Sequence, residues 1–536
     1  TLTTLNGNIT TDNNSGNSVT LAGTTTNGAN ISIDTNNTSN DGAINIAAFS
    51  SSNNNLTLDS GTADINLSGA AFDLGSGSLT TTGDINLAAN VSITATGGIT
   101  INNDIDADDS GNNRTLTLSS GTGSTMTFSG AIGSDQTLTG LAISQSNGAT
   151  FGSTVNAGTI TLTDTQDGSD IIFNGNVTAT TFTTAAQGYD LILNAGGTFT
   201  NAVTFQNTGT LNLGNASGDT FTFNGGLTES TTGTVTLAGS IDSSNDVISF
   251  GAITLAAATT LDTNATSTTG DITIGAVTGN NNSLTLDTTA STGSADHTFT
   301  GDINLGSGAL SVIGDAVLGA NVAVTATGGI TFNDAINADN ASSNDRTLTL
   351  DAGTGSTISV VGTVGNSQAL AGLTITQSNG TTFSSTVDVS DSSSGTITLT
   401  DTQDNSNIVF SNNVTADSFV TAAQGYDIFL LGNATFANAV TFQNTGTLDL
   451  GNATSDTLTF NGGVTESTGG TVTIDGAIVS SNDAISFGNI NLGQNLSVTS
   501  AGGAISIGTI TASSGSHDVT ITSSGGSANT VAVGAI

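Results

Sequence analysis

The chain has no proline, no cysteine, no tryptophan and no lysine in 536 residues, and its only arginines are Arg114 and Arg346. Each absence excludes something. Proline at ordinary usage of about 5% would occur about two dozen times in a chain this long. Because proline cannot donate to a ladder and is confined to edges, turns and bulges, its loss points to a backbone that lies almost entirely in or beside a continuous ladder. Missing cysteine rules out a disulfide framework and leaves the redox compartment open. The net charge of -40 arises from 42 acids set against two bases. Without clustered cations to neutralise phosphate, nucleic acid and anionic membrane surfaces are excluded as partners. Divalent cations and cationic patches on another protein remain open. Two arginines also leave trypsin only two cleavage sites, which suits an extracellular setting.

Charged residues make up only 8% of the chain, against roughly 25% in an average soluble protein. Its surface must therefore be wetted by hydroxyls and amides. No stretch approaches the roughly 18 apolar residues of a membrane span, which argues against direct membrane insertion, and no basic and apolar signal peptide opens the sequence. The first residue is Thr1, so the chain reads as a processed or excerpted segment.

What is present is repetition. "VSITATGGIT" at 91 to 100 returns as "VAVTATGGIT" at 322 to 331, "LGSGSL" from Leu74 as "LGSGAL" from Leu305, and "RTLTL" from Arg114 again from Arg346. "TLTDTQD" from Thr161 returns from Thr398, "TAAQGYD" from Thr184 from Thr421, and "NAVTFQNTGTLNLGNA" from Asn201 as "NAVTFQNTGTLDLGNA" from Asn438. The offset drifts from 231 (91 to 322) to 237 (161 to 398) because insertions such as "SDSSS" at 390 to 394 fall between matching blocks. The unit is about 230 residues, divided as a partial copy over 1–73 and copies over 74–304 and 305–536.

Inside each unit, apolar triplets such as "VTL", "ISF", "ITL", "ITI" and "LTL" alternate at period two and are separated by Gly, Asn, Asp and Ser clusters. Alternation is the strand signal and the clusters are turn signals. Strands this short cannot form free-standing sheets. "LTL" at 284, "INL" at 303 and "VAV" at 322 recur every 19 residues, close to one coil of a parallel β-solenoid. The reading is an all-β, elongated parallel β-helix running as one continuous solenoid over 1–536. At about 20 residues and about 4.8 Å per coil it predicts roughly 27 coils over roughly 130 Å.

Phrases such as "GDINLAANVSITATGGITI" (83 to 101), in which "GxIxL" and "GGIxI" punctuate alternating strands, resemble the haemagglutinin-type β-helical repeats of large bacterial exoproteins, the filamentous haemagglutinin-like adhesins. The resemblance is one of style over the whole chain. It implies a right-handed parallel β-helix and an extracellular, non-enzymatic role. The scarcity of basic residues and the long super-repeat depart from that pattern and favour a scaffold, sheath, surface layer or fibre over an adhesin.

The densest acidic cluster holds Asp104, Asp106, Asp108 and Asp109. Their carboxylates could supply oxygen ligands to calcium, or cap a solvated turn with Arg114 pairing one of them. In the second copy two of these positions are Asn337 and Asn340, and the arginine persists as Arg346. Asp164, Asp167 and Asp170, with Asp401, Asp404 and Asn407 in the second copy, read as polar turn caps in preference to a catalytic pair, which needs two carboxylates about 5 to 10 Å apart around a cleft. Glu229 and Glu466 occupy equivalent places, as copying alone would produce. His297 and His517 are isolated and lack the ligand set of a zinc or haem site. Phenylalanines between Phe182 and Phe223, and between Phe419 and Phe460, are expected to stack inward. Tyr189 and Tyr426 are the surface candidates for recognition. Sequons such as Asn90-Val91-Ser92 follow from the abundance of Asn, Ser and Thr.

These readings assign no catalytic, cofactor or metal residue and keep calcium as a candidate ion. They make the chain a non-enzymatic structural segment of a giant secreted repetitive surface protein, at the cell surface or outside the cell: a fibre, sheath, surface layer or adhesin stalk. Self-association, lateral or end to end, is the expected partnership, with cell-surface glycans or proteins as further candidates. The alternative is a carbohydrate-binding or carbohydrate-cleaving β-helix. A cleaving enzyme of that kind commonly uses a basic proton acceptor, which a lysine-free chain supplies poorly. An array of immunoglobulin-like domains is disfavoured by the missing proline and tryptophan and by the coil-sized rhythm.

Overall fold

The computed structural model describes residues 2–11, 16–38, 40–50, 53–109, 111, 113–264, 269–288, 296–339, 346–390, 394–513, 515–525 and 530–536. Residues Asn340 and 391 to 393, part of the predicted insertion, lie outside them. Among the described residues there is no helix, and every strand pairing for which a register is resolved is parallel. The chain divides into two compact units, Thr1–Thr263 and Asn264–Ile536. Each is a β-solenoid.

A coil typically contributes three short strands, two of which merge into one run at Val155–Thr165, Val235–Ser243 and Ile253–Asp262, and each strand pairs with its counterpart one coil away. In the first unit Ile85–Leu87, Val91–Thr94 and Ile99–Ile101 pair with Ile105–Ala107, Thr115–Ser119 and Met126–Phe128. In the second, Leu448–Leu450, Thr457–Phe460 and Val464–Glu466 pair with Val472–Ile474, Gly476–Ser480 and Ile485–Phe487. Paired residues lie between 18 (Val235 and Ile253) and 28 (Ile330 and Ile358) positions apart. The spacing averages about 22, longer than the 20 read from the triplets, so the chain makes about 23 coils where 27 were expected. Extra residues at the corners lengthen the coil and leave the strand triplets intact.

Alternation sorts the side chains. Ile99, Ile101, Leu116, Leu118, Met126 and Phe128 are buried, whereas Thr100, Thr117 and Thr127 between them face outward. Hydroxyl residues also enter the interior at corners: Ser120 Oγ donates to Ser124 O at 2.7 Å, and Ser480 Oγ to Asp483 O at 2.9 Å. Such bonds satisfy backbone groups that turning corners would otherwise leave unpaired.

The missing proline has its explanation here. Corner amides donate from coil to coil as strand amides do: Ala95 N–H to Ser119 O, Gly97 N–H to Gly77 O and Gly168 N–H to Gly188 O. A proline at such a corner would delete a donor and its bond to the neighbouring coil.

Candidate functional site

The acidic cluster is consumed by the fold. Asp104 Oδ1 accepts from Ala131 N–H at 2.7 Å, and Asp106 Oδ1 accepts from Asp135 and Gln136 N–H at 2.9 and 3.0 Å. Asp108 receives both Nε and Nη2 of Arg114, at 2.8 and 2.9 Å, and Asp109 accepts from Gly111 N–H. Burial pushes the Asp106 carboxyl above its ordinary range, against the two backbone donors that hold it down. In the second unit Asn337 Oδ1 takes the Ser367 and Gln368 amides in the same way, so the position requires an acceptor and tolerates loss of the charge. Asp339 and Arg346 repeat the Asp108–Arg114 fork at 3.1 and 2.7 Å. Among the described residues no group of three or more His, Cys, Asp or Glu is placed to hold a metal ion.

In the second acidic motif the middle carboxylate caps a corner, as the sequence suggests, while the first pairs with a side chain one coil back and Asp170 lines a groove. Asp167 Oδ1 accepts from Gly188 N–H and Asp404 Oδ1 from Gly425 N–H, both at 3.1 Å, one coil on. Asp164 and Asp401 accept from Gln145 and Gln377, both at 3.3 Å. Glu229 and Glu466 bond the Gly251 and Gly488 amides. His297 is fully buried, its Nε2 3.0 Å from Ile313 O and 3.2 Å from Thr288 Oγ1, and burial pulls its pKa down. His517 is half-buried near the last coils.

Tyr189 and Tyr426 correct the sequence reading. Neither is a surface group: both are 0% exposed. Each hydroxyl accepts from the backbone amide four residues earlier, Ala185 and Ala422, and donates one coil back to Leu162 O or Leu399 O. Burial pushes both phenols up to about 12. They are corner plugs, seconded by Asn207 and Asn444, whose Nδ2 donates to Thr210 O and Thr447 O. The "QNTGT" phrase in each copy carried the signal for these asparagines.

Phenylalanines fill the core as expected. Phe128, Phe151 and Phe173 stack at 4.8 and 4.6 Å, and Phe383 on Phe410 at 4.9 Å. Of the 21 phenylalanines, all are buried except Phe429. It points outward between buried Ile428 and Leu430.

Each unit carries an open groove at the equivalent place in its own fold. In the second unit a groove of about 560 Å³ is lined by Ser359, Gly380, Thr382, Ser406, Asn407 and Val409. In the first, about 320 Å³ is lined by Thr127, Gly148, Thr150, Ser169, Asp170 and Ile172. The hollow follows from glycine at Gly148 and Gly380, whose φ of 105° and 107° disfavours any side chain. Burial, and then Asp190 beside it, raise the Asp170 carboxyl; the second copy has neutral Asn407 there. A third concavity of about 380 Å³ is bordered by Asp296 and Asp315, which stand in register on adjacent strands. Burial, with Asp271 and Asp315 adding repulsion, pushes Asp296 up to about 6. Amides, hydroxyls and aliphatic carbons line the second-unit groove, which can dock a polar neutral surface, and the first-unit groove adds the Asp170 carboxylate to the same kind of lining. No family model, no curated protein and no solved structure matches the chain.

Proposed function

We propose that the chain is a non-enzymatic structural segment of a repetitive surface protein, working outside the cell as fibre, sheath, surface layer or stalk. Its resemblance to haemagglutinin-type repeats supports the extracellular setting. The observation that carries the reading is the use made of the carboxylates. The acids that a catalytic or metal site would draw on, Asp104, Asp106, Asp167 and Asp404 among them, tie one coil to the next. A solenoid maintained in this way gains function by adding coils and repeating its surface. Lateral assembly follows, with the negative charge opposing it and salt or calcium screening that charge. Antibody raised against the chain tests the placement: it labels intact cells of the source organism, and labelling only after permeabilisation contradicts the proposal.

A further inference from the structure

In each unit an outward column of residues runs through the strands that border its groove. In the second unit it reads Thr285, Ser311, Thr331, Ser359, Thr382, Val409, Phe429, Asp449, Thr473, Asn491, Thr511, each residue in register with the next. Eleven coils at about 4.8 Å give it roughly 50 Å of length, and Asp449 is its only charge. The corresponding column of the first unit runs from Ser32 to Thr254 with Ile172, Ile192 and Asn212 where the second has Val409, Phe429 and Asp449, and carries no charge.

The column is also self-complementary. Its largest side chains, Val409 and Phe429, stand one and two coils beyond the groove floor at Thr382 and Gly380. Phe429 is the single phenylalanine left out of the core, half-buried and one coil from the groove-lining Val409, and aromatic side chains are enriched at interfaces. We infer that this face docks a second copy of the chain antiparallel, the Val409–Phe429 step of each copy seated in the Gly380–Thr382 groove of the other.

Charge selects that partner. A chain of net charge -40 with two cations brings carboxylates together at most contacts with itself, and a column with one carboxylate in eleven coils largely avoids this. Direction follows from the same residues. Parallel docking would set Phe429 on Phe429 and Asp449 on Asp449. Antiparallel docking about a two-fold axis between Thr382 and Val409 sets Phe429 against Ser359 and Asp449 against Thr331. The two carboxylates then stand five coils, or roughly 24 Å, apart, beyond the Debye length. Asp427 on the flank accepts from the Thr447 amide and points its charge into its own corner.

This surface rests on the lateral-assembly reading, and the experiment separates the two. Sedimentation velocity of the full chain over a concentration series compares wild type with Phe429→Asp, Thr382→Asp and the control Val420→Asp, a side chain 47% exposed on another face. Wild type and control associate; both column variants associate at least about tenfold more weakly, while circular dichroism stays unchanged. Because the chain has no cysteine, Thr382→Cys and Val409→Cys chains mixed and oxidised give a crosslinked heterodimer in excess of either homodimer. Association unaffected by both column variants overturns this surface and leaves lateral assembly standing; strict monomers at every concentration and salt overturn both. Absence of the heterodimer in an associating mixture overturns the antiparallel pairing. A neutral hexasaccharide that binds the groove of a monomeric chain reassigns the face to a glycan.

Discussion

Replacing Asp449 by asparagine should stabilise the second unit at neutral pH. Asp449 lies half-buried at the centre of the Leu448–Leu450 strand, with no hydrogen-bond partner at Oδ1 among the described residues. Burial, with Asp475 adding repulsion, pushes its carboxyl from 3.8 to about 6. The first unit places Asn212 at the same point, also without a partner at Oδ1. A carboxyl raised in the folded state leaves stability intact below the unfolded value of 3.8 and removes it as pH rises through about 6. At about 1.4 kcal/mol per pH unit the gap corresponds to about 3 kcal/mol at pH 7. Solvent screening of a half-buried group reduces the expected gain for Asp449→Asn to about 1–2 kcal/mol. Solenoid stability is local, so the assay is native-state hydrogen exchange at Leu448–Leu450 and Val472–Ile474. Slower exchange in the variant at pH 7, converging with wild type near pH 4 after correction for intrinsic rates, is the expected result. An equal gain at both pH values, or a loss at pH 7, refutes the electrostatic argument.

Further changes test the packing and the corners. Phe151→Ala opens a hole between two stacked rings and should cost about 3–5 kcal/mol, read as faster exchange in the coils of Phe128 and Phe173. Tyr426→Phe removes the phenol's bonds to Leu399 O and the Ala422 amide, which keeps Leu399 O as acceptor, and should cost about 0.5–1.5 kcal/mol in the same assay. Asp106→Asn should be nearly silent in thermal unfolding, since Asn337 already does this work, while Asp106→Ala exposes the loss of two amide partners.

Much of this architecture is legible in short phrases. Triplets such as "LTL" and "VTF" declare strands with alternate residues inside, and the phenylalanines of "TFTF" go where hydrophobicity sends them. Asp167 and Asp404 cap corners as their spacing among turn residues indicates. The failures share a cause, which is that pairing between residues about 22 positions apart has no local signature. Tyr189 carries a hydroxyl and sits beside Gly188, so it reads as exposed; the carbonyl that takes its proton, Leu162 O, comes from another coil. Phe429 looks like a core residue within "DIFLL" until the strand's phase turns Ile428 and Leu430 inward. The grooves depend on Gly148 and Gly380 falling between larger residues of adjacent coils, a coincidence of register.

The measurement that bears most directly on the account is X-ray diffraction from an aligned sample of the isolated chain, taken together with infrared spectra of the amide I band. Parallel coils predict a reflection at about 4.8 Å along the stacking axis, a parallel-sheet amide I band and no helical component. Helical absorption, or the split band of antiparallel pairing, contradicts it.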